Sequence, residues 1–192
     1  MISTENFKKV EVTSPSALRD WLEQNFTQEE SVWLVTYKKD NPDKYVSVSQ
    51  VLDELISFGW IDGIRRKLDN ERTMQLISPR KTQHWAKTYK DRAEKLIKIG
   101  QMHAAGLLAI EVSKKNGLWN FMDDVDQLII PPDLQQALHN YPEAASFFEG
   151  INASSKRFVL RWIKLAKTKK TRTKRIEQTA LLASRGEKVP GS

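Results

Sequence analysis

The 192-residue chain contains no cysteine. That absence excludes a disulfide scaffold, a thiol nucleophile and cysteine-held zinc, and it suits a reducing compartment. Histidine is scarce. His84, His103 and His139 stand far apart and match neither metal-site nor triad spacing. The sequence has no phosphate-cradling glycine loop, no GxGxxG and no GxSxG, so its motifs specify no reaction and no cofactor. No apolar run approaches the ~18 residues of a membrane span. The opening stretch MISTENFKKVEV lacks an apolar segment followed by a cleavage site. The expectation is a soluble cytoplasmic protein with no membrane span and no resident metal.

What is present reads as globular. Hydrophobic residues make up 40% of the chain and charged residues 29%, with six tryptophans, enough apolar surface to bury a core. The net charge of +7 is unevenly placed. Residues 151–192 carry 12 Lys and Arg against Glu177 and Glu187, a balance of +10, which leaves residues 1–150 at −3. A mildly acidic body carries a strongly basic end.

The apolar spacing predicts α+β structure followed by helices. Phe7 to Val12 forms a first strand; Ser14-Pro15 caps a helix burying Ala17, Leu18, Trp21 and Leu22. Ser31 to Lys38, rich in β-branched and aromatic residues, reads as a central strand. Ser47 and Gln50 make a capping box before the stripe Val48, Val51, Leu52, Leu55 and Ile56, which Gly59 ends. A hairpin runs from Trp60 to Leu68, turns at Asp69-Asn70 and returns from Thr73 to Ser78. Then come helices with the stripes Trp85, Tyr89, Ala93, Leu96, Ile97 and Met102, Ala105, Ala109, Val112. Asn120 to Pro132 breaks periodicity. Helices carrying Leu134 and Leu138, Phe147 and Phe148, Phe158, Val159, Trp162 and Ile163, and finally Ile176, Ala180 and Ala183 follow. The fold class is α+β: a small mixed sheet with helices over residues 1–125, then an all-helical basic module over 131–192.

Two constellations stand out. In FGWIDG, strand alternation places Trp60, Asp62, Ile64, Arg66 and Leu68 on one face, so Asp62 lies between apolar side chains. A carboxylate there needs a cation or N–H donors. Arg80 is the expected partner, with Arg66 and Arg65 behind it, and an internal ion pair or turn cap is the plain structural alternative. Tyr37, Lys38, Trp60, Asp62, Arg80 and Trp85 together form a candidate pocket, because Arg and Trp recognise flat or anionic ligands by stacking and bidentate hydrogen bonds. Ordinary core packing explains the same aromatics.

The second constellation is KRFVLRWIKLAKTKKTRTKR, Lys156 to Arg175, in which ten of 20 residues are basic and none acidic. Its stripe Phe158, Trp162, Ile163 is expected to face inward and Arg157, Arg161 and Lys164 outward. Lys167, Lys169, Lys170, Arg172, Lys174 and Arg175 crowd the start of the last helix, where cations oppose the helix dipole and a bound anion relieves both. The partner would be phosphate, nucleic acid or an acidic protein surface; a solvated basic face is the bland reading.

As a set, SVWLVTYKK, FGWIDGIRRKLD, SPRKTQHW and GQMHAAG resemble the YdeI/OmpD-associated, bacteriocin-protection family. PPDLQQAL, YPEAASFFEGI and SKRFVLRWIKLAKTKKTRTKRIE resemble that family's C-terminal helical module, so the resemblance runs from Val32 to Gly186. It implies a fold and a tolerance phenotype toward bacteriocins and antimicrobial peptides, with no catalytic residues to carry over. Ser57 stands where the family often has cysteine, which implies that no thiol is needed there. A chain of +7 is a poor decoy for cationic peptides, so tolerance would act indirectly, through a cytoplasmic stress response. The leading expectation is a tolerance protein that works by binding. The alternatives are a nucleic-acid- or phosphate-binding module using the basic segment, and an enzyme with a pocket at Trp60, Asp62, Arg80 and Trp85.

Overall fold

The computed structural model describes residues 6–189. The chain divides between Asn120 and Phe121 into two compact units.

The first unit holds a mixed four-stranded sheet in the order β1-β2-β4-β3: β1 (Lys9–Glu11), β2 (Val32–Tyr37), β3 (Trp60–Lys67) and β4 (Arg72–Pro79). β1 runs parallel to β2, and the β2–β4 and β3–β4 pairs are antiparallel. A parallel neighbour needs a crossover, which α1 (Pro15–Asn25) supplies, started by Ser14 accepting from the Ala17 N–H at 3.0 Å. α2 (Val48–Ser57) begins at the expected capping box and ends before Gly59, whose φ of +71° is the left-handed value that favours glycine. Val32, Leu34, Trp60 and Ile77 of the sheet meet Leu18, Leu22, Val51 and Leu55 in one buried core. Each such fully buried side chain contributes about 1.5–3 kcal/mol.

α3 (Lys87–Lys98) and α4 (Ala104–Lys115) complete the unit, with Ile56, Trp85, Ala93, Leu96 and Ile110 as a second cluster. Trp85 precedes α3 rather than lying within it. Val48, Ile97 and Val112, assigned to buried stripes by periodicity, are exposed. Their helices bury the neighbouring Val51, Leu96 and Ile110 instead.

The second unit is helical: α5 (Asp123–Asp126), α6 (Pro132–His139), α7 (Ala144–Gly150), α8 (Ala153–Lys164) and α9 (Lys169–Ser184). α5 falls within the stretch whose periodicity is broken. Leu134, Leu138, Phe148, Val159, Ile163 and Ala180 centre its core. On α8 the buried stripe is Val159, Leu160 and Ile163, and Phe158, expected inward, is 54% exposed. The two stripes are adjacent on the helix, and packing against α9 selects the one that includes Leu160.

Candidate functional site

Asp62 owes its surroundings to a β-bulge. Asp62 pairs with Ile77 but Arg65 pairs with Gln75, so β3 carries one residue more than β4. Strict alternation therefore ends at Asp62, and the side chain that joins it on the inner face is Arg65, not Ile64 or Arg66. Arg65 donates to the Gln75 Oε1 at 2.7 Å, and Gln75 donates through Nε2 to Asp62 at 3.1 Å. The Tyr89 hydroxyl donates to the other Asp62 oxygen. This network takes the place of the expected ion pair with Arg80, which attracts Asp62 through space without reaching bonding distance.

Arg80 is held differently. Its N–H donates to the Gly59 carbonyl at 2.9 Å, and its Nη1 donates to the Gln83 and His84 carbonyls at 3.3 and 3.2 Å. The guanidinium carbon lies over Trp85, 4.1 Å from the ring centre, with the Tyr89 ring centre at 5.5 Å. Burial pushes its pKa down to about 10, against the attraction of Tyr89 and Asp62. Its Nε is sealed without a hydrogen-bond partner among the described residues. A largely buried cation without a described carboxylate in ion-pair reach is costly and uncommon.

The remaining pocket candidates are placed elsewhere or sealed. Trp60 is 1% exposed and stands edge-on to Trp21. Trp85 is fully buried, donating to Ser113 Oγ at 2.8 Å and leaning on Trp119. Both indoles are thus enclosed by the core. Tyr37 and Lys38 lie toward the Arg72 end of β4, seven residues from Pro79 and so roughly 20 Å from Arg80's end of the sheet. There Tyr37 donates to Glu11 at 2.8 Å, and Lys38 clamps the turn through the Asp69 and Asn70 carbonyls.

A cleft of about 610 Å³ does open beside Arg80, with walls other than those expected. Phe26, Phe58, Gly59, Pro79 and Arg80 form one side; His103, Ala105, Leu108, Ala109, Val112 and Ser113 of the α4 segment form the other. α4 reaches this position because Gly106 sits against the Ser57 carbonyl, where a Cβ would also meet Met102 Sδ at 2.6 Å. Ala109 closes on Gly59, where an added Cβ would lie 2.8 Å from the alanine's own. His103 caps α4 by accepting from the Ala105 N–H through Nδ1 at 3.1 Å, which leaves Nε2 as the nitrogen able to carry a proton in the neutral ring. Its ring stacks on Phe58 with centres 4.5 Å apart. Sequence reasoning missed this wall; the available signal was α4's apolar character all round, with Leu107, Leu108 and Val112 left outside.

The basic segment is partly internal. Arg172 grips Asp133 with both Nε and Nη2, at 2.7 and 2.9 Å. Arg175 donates to the Trp162 carbonyl and lies over that indole. Lys164, expected outward, bonds Asp124 at 2.6 Å and covers the Phe121 ring. Lys167, Lys169, Lys170 and Lys174 are exposed, as are Arg157 and Arg161, expected outward. Lys169 and Arg172 border a cavity of about 550 Å³ with Gln136, Asn140, Tyr141 and Glu177.

Residues 10–109, just over half of the chain, match the family described as Domain of unknown function (DUF8412). The chain belongs to this family. Residues 127–186 match a second family, described as Bacteriocin-protection, YdeI or OmpD-Associated, which associates the C-terminal module with bacteriocin protection. The resemblance seen in the sequence is met there, and FGWIDG, SPRK and GQMHAAG fall in the DUF8412 part. No curated protein and no solved structure matches the chain.

The cleft therefore belongs to the DUF8412 part apart from its rim at Val112 and Ser113. It offers a fixed guanidinium, an imidazole and a hydroxyl on carbon walls, groups that orient a ligand by charge and shape. Among the described residues no three His, Asp or Glu side chains gather as a metal site, and no helix is long and apolar enough to cross a membrane.

Proposed function

We propose that this is a bacteriocin-tolerance protein that acts by binding, with the α4 cleft as its ligand site. The observation that carries the reading is Arg80: a preorganised, partly buried cation on the wall of an apolar cleft, with no acidic side chain in the lining. The family match of residues 127–186 supplies the physiological direction. A cytoplasmic location is part of the proposal, and fractionation of cells producing the tagged chain tests it.

The central test is occlusion. Leu108 is 60% exposed on the rim, so Leu108→Trp can fill the cleft without disturbing the core. A bacterial host challenged with a bacteriocin should be protected by the parent chain and not by the Leu108→Trp chain at equal abundance. Undiminished protection by the filled variant would exclude the cleft.

A second reading is favoured by a separate observation, the four exposed lysines at and before the start of α9. They suit a phosphate-bearing polymer or an acidic protein surface, and the salt dependence of binding distinguishes these from a solvated face.

A further inference from the structure

The chemistry of the cleft walls narrows its ligand to one class, an inference that rests on the cleft being the binding site. Arg80 and Lys81 are the cations of the lining, and neither Asp nor Glu is present there. Lys81 is exposed and pairs loosely with Glu29 at 3.4 Å, so it contributes little directional preference. Arg80 is different: two carbonyls hold one end of its guanidinium and an indole holds its face. No described carboxylate neutralises it at bonding distance. Asp62, the nearest acid by sequence logic, is occupied by Gln75 and Tyr89.

Everything else on the walls favours carbon. Ala105, Leu108, Ala109 and Val112 line the cleft, and Leu108 and Val112 are 60% and 47% exposed. Apolar side chains so placed gain by being covered. A cationic occupant would face Arg80 without a counter-charge, and a polyanion would strand most of its charge against hydrocarbon. A neutral apolar occupant would take water from the guanidinium and give nothing back. One negative charge on an apolar body satisfies both walls, and a carboxylate matches the planar guanidinium.

We infer that the cleft binds an amphipathic monocarboxylate, its carboxylate against Arg80 and its apolar body along Ala105, Leu108 and Val112.

The test is calorimetric titration of the full chain with octanoate, octanol and octylamine, and with 4-phenylbutyrate to separate alkyl from aryl bodies. A carboxylate should bind at least about tenfold more tightly than octanol, the scale of one charge-assisted hydrogen bond, and octylamine most weakly. Leu108→Glu, a substitution at an exposed site that does not touch Arg80, should weaken carboxylate binding by about tenfold or more and raise octylamine above octanoate. Arg80→Met should remove the preference for octanoate over octanol while keeping octanol affinity. Equal binding of octanoate and octanol to the parent chain would overturn the carboxylate assignment and leave the cleft as an apolar site. Failure of all four probes, together with undiminished protection by Leu108→Trp, would overturn the cleft reading as well.

Discussion

The guanidinium carbon of Arg80 lies 4.1 Å from the centre of the Trp85 ring, and among the described residues no carboxylate stands within ion-pair distance of it. The indole and two carbonyls replace the expected Asp62. This changes what substitutions at Arg80 should do.

Removing one partner of a buried ion pair costs roughly 3–5 kcal/mol because a charge is left behind. Here Asp62 keeps its own donors, so Arg80→Ala should cost only about 1–3 kcal/mol, from the cation–π contact and the carbonyl hydrogen bonds. Arg80→Met, which keeps the packing and sheds the desolvated charge, should fall within about 1 kcal/mol of the parent. Urea denaturation of the two variants checks this; a loss above about 4 kcal/mol for Arg80→Ala would restore the ion-pair picture.

Alanine in place of a helical glycine ordinarily stabilises, by up to about 0.5–1 kcal/mol. At Gly106 the sign should reverse. The new Cβ would press on the Ser57 carbonyl and lie 2.9 Å from the Ile56 carbonyl oxygen. Backbone cannot yield as a flexible side chain does, so Gly106→Ala should destabilise by about 1–3 kcal/mol. It should also shift α4 and change probe binding in the cleft. A stabilised Gly106→Ala would show that α4 is not seated as described.

The second unit should be sensitive to acid through Asp133. Arg172's two-pronged hydrogen bond holds this carboxyl below the ordinary value of 3.8. A folded value below the unfolded one means that the stabilisation is complete above pH 3.8 and fades as pH falls through the lowered folded value. The pair is half exposed, so its worth is at most about 1 kcal/mol. Asp133→Asn should therefore melt slightly earlier than the parent at pH 7 and alongside it near pH 2. A difference that persists undiminished at low pH would point to lost packing rather than lost charge.

If the α9 lysines bind a nucleic-acid backbone, Lys167, Lys169, Lys170 and Lys174 set the salt dependence. Four phosphates on duplex DNA give a log–log slope of about −3.6. Replacing Lys169 and Lys170 with alanine should flatten it by about 1.8, with no change of sequence preference. Arg172→Ala should instead lower stability, because that side chain is engaged with Asp133. Fluorescent duplex and single-stranded oligonucleotides titrated across salt provide the measurement. No binding at low salt would remove the reading.

Features written in local sequence were legible in advance. The Ser47–Gln50 box, the Ser14-Pro15 start, the stop at Gly59 and the Asp69-Asn70 turn each depend on residues within a few positions, and all stand as read. The bulge after Asp62 was not legible, because one surplus residue is defined only by what the partner strand lacks. Gly63 permits it without announcing it. The choice of Arg65 over Arg66 on the inner face depends on that surplus. Phe158 turns outward for a related reason: α8 has two apolar stripes of equal spacing, and α9 decides between them. The cleft is the most distributed feature of all. Phe26, Phe58, Arg80 and Val112 lie far apart in the chain, and no window contains the site.

The same bulge makes the β3–β4 hairpin unequally tolerant of changes in length. Between the Asp62–Ile77 and Arg65–Gln75 pairs, Gly63 and Ile64 together oppose Leu76. Loss of either one would close the surplus and leave Trp60, Asp62, Arg65 and Lys67 facing as they do now. A single deletion elsewhere in the paired residues of β3 would turn the residues beyond it over and carry a charged residue into the core or an apolar one out of it. Natural length variants of this hairpin should therefore collect at Gly63-Ile64, the one slack link in an otherwise fixed register.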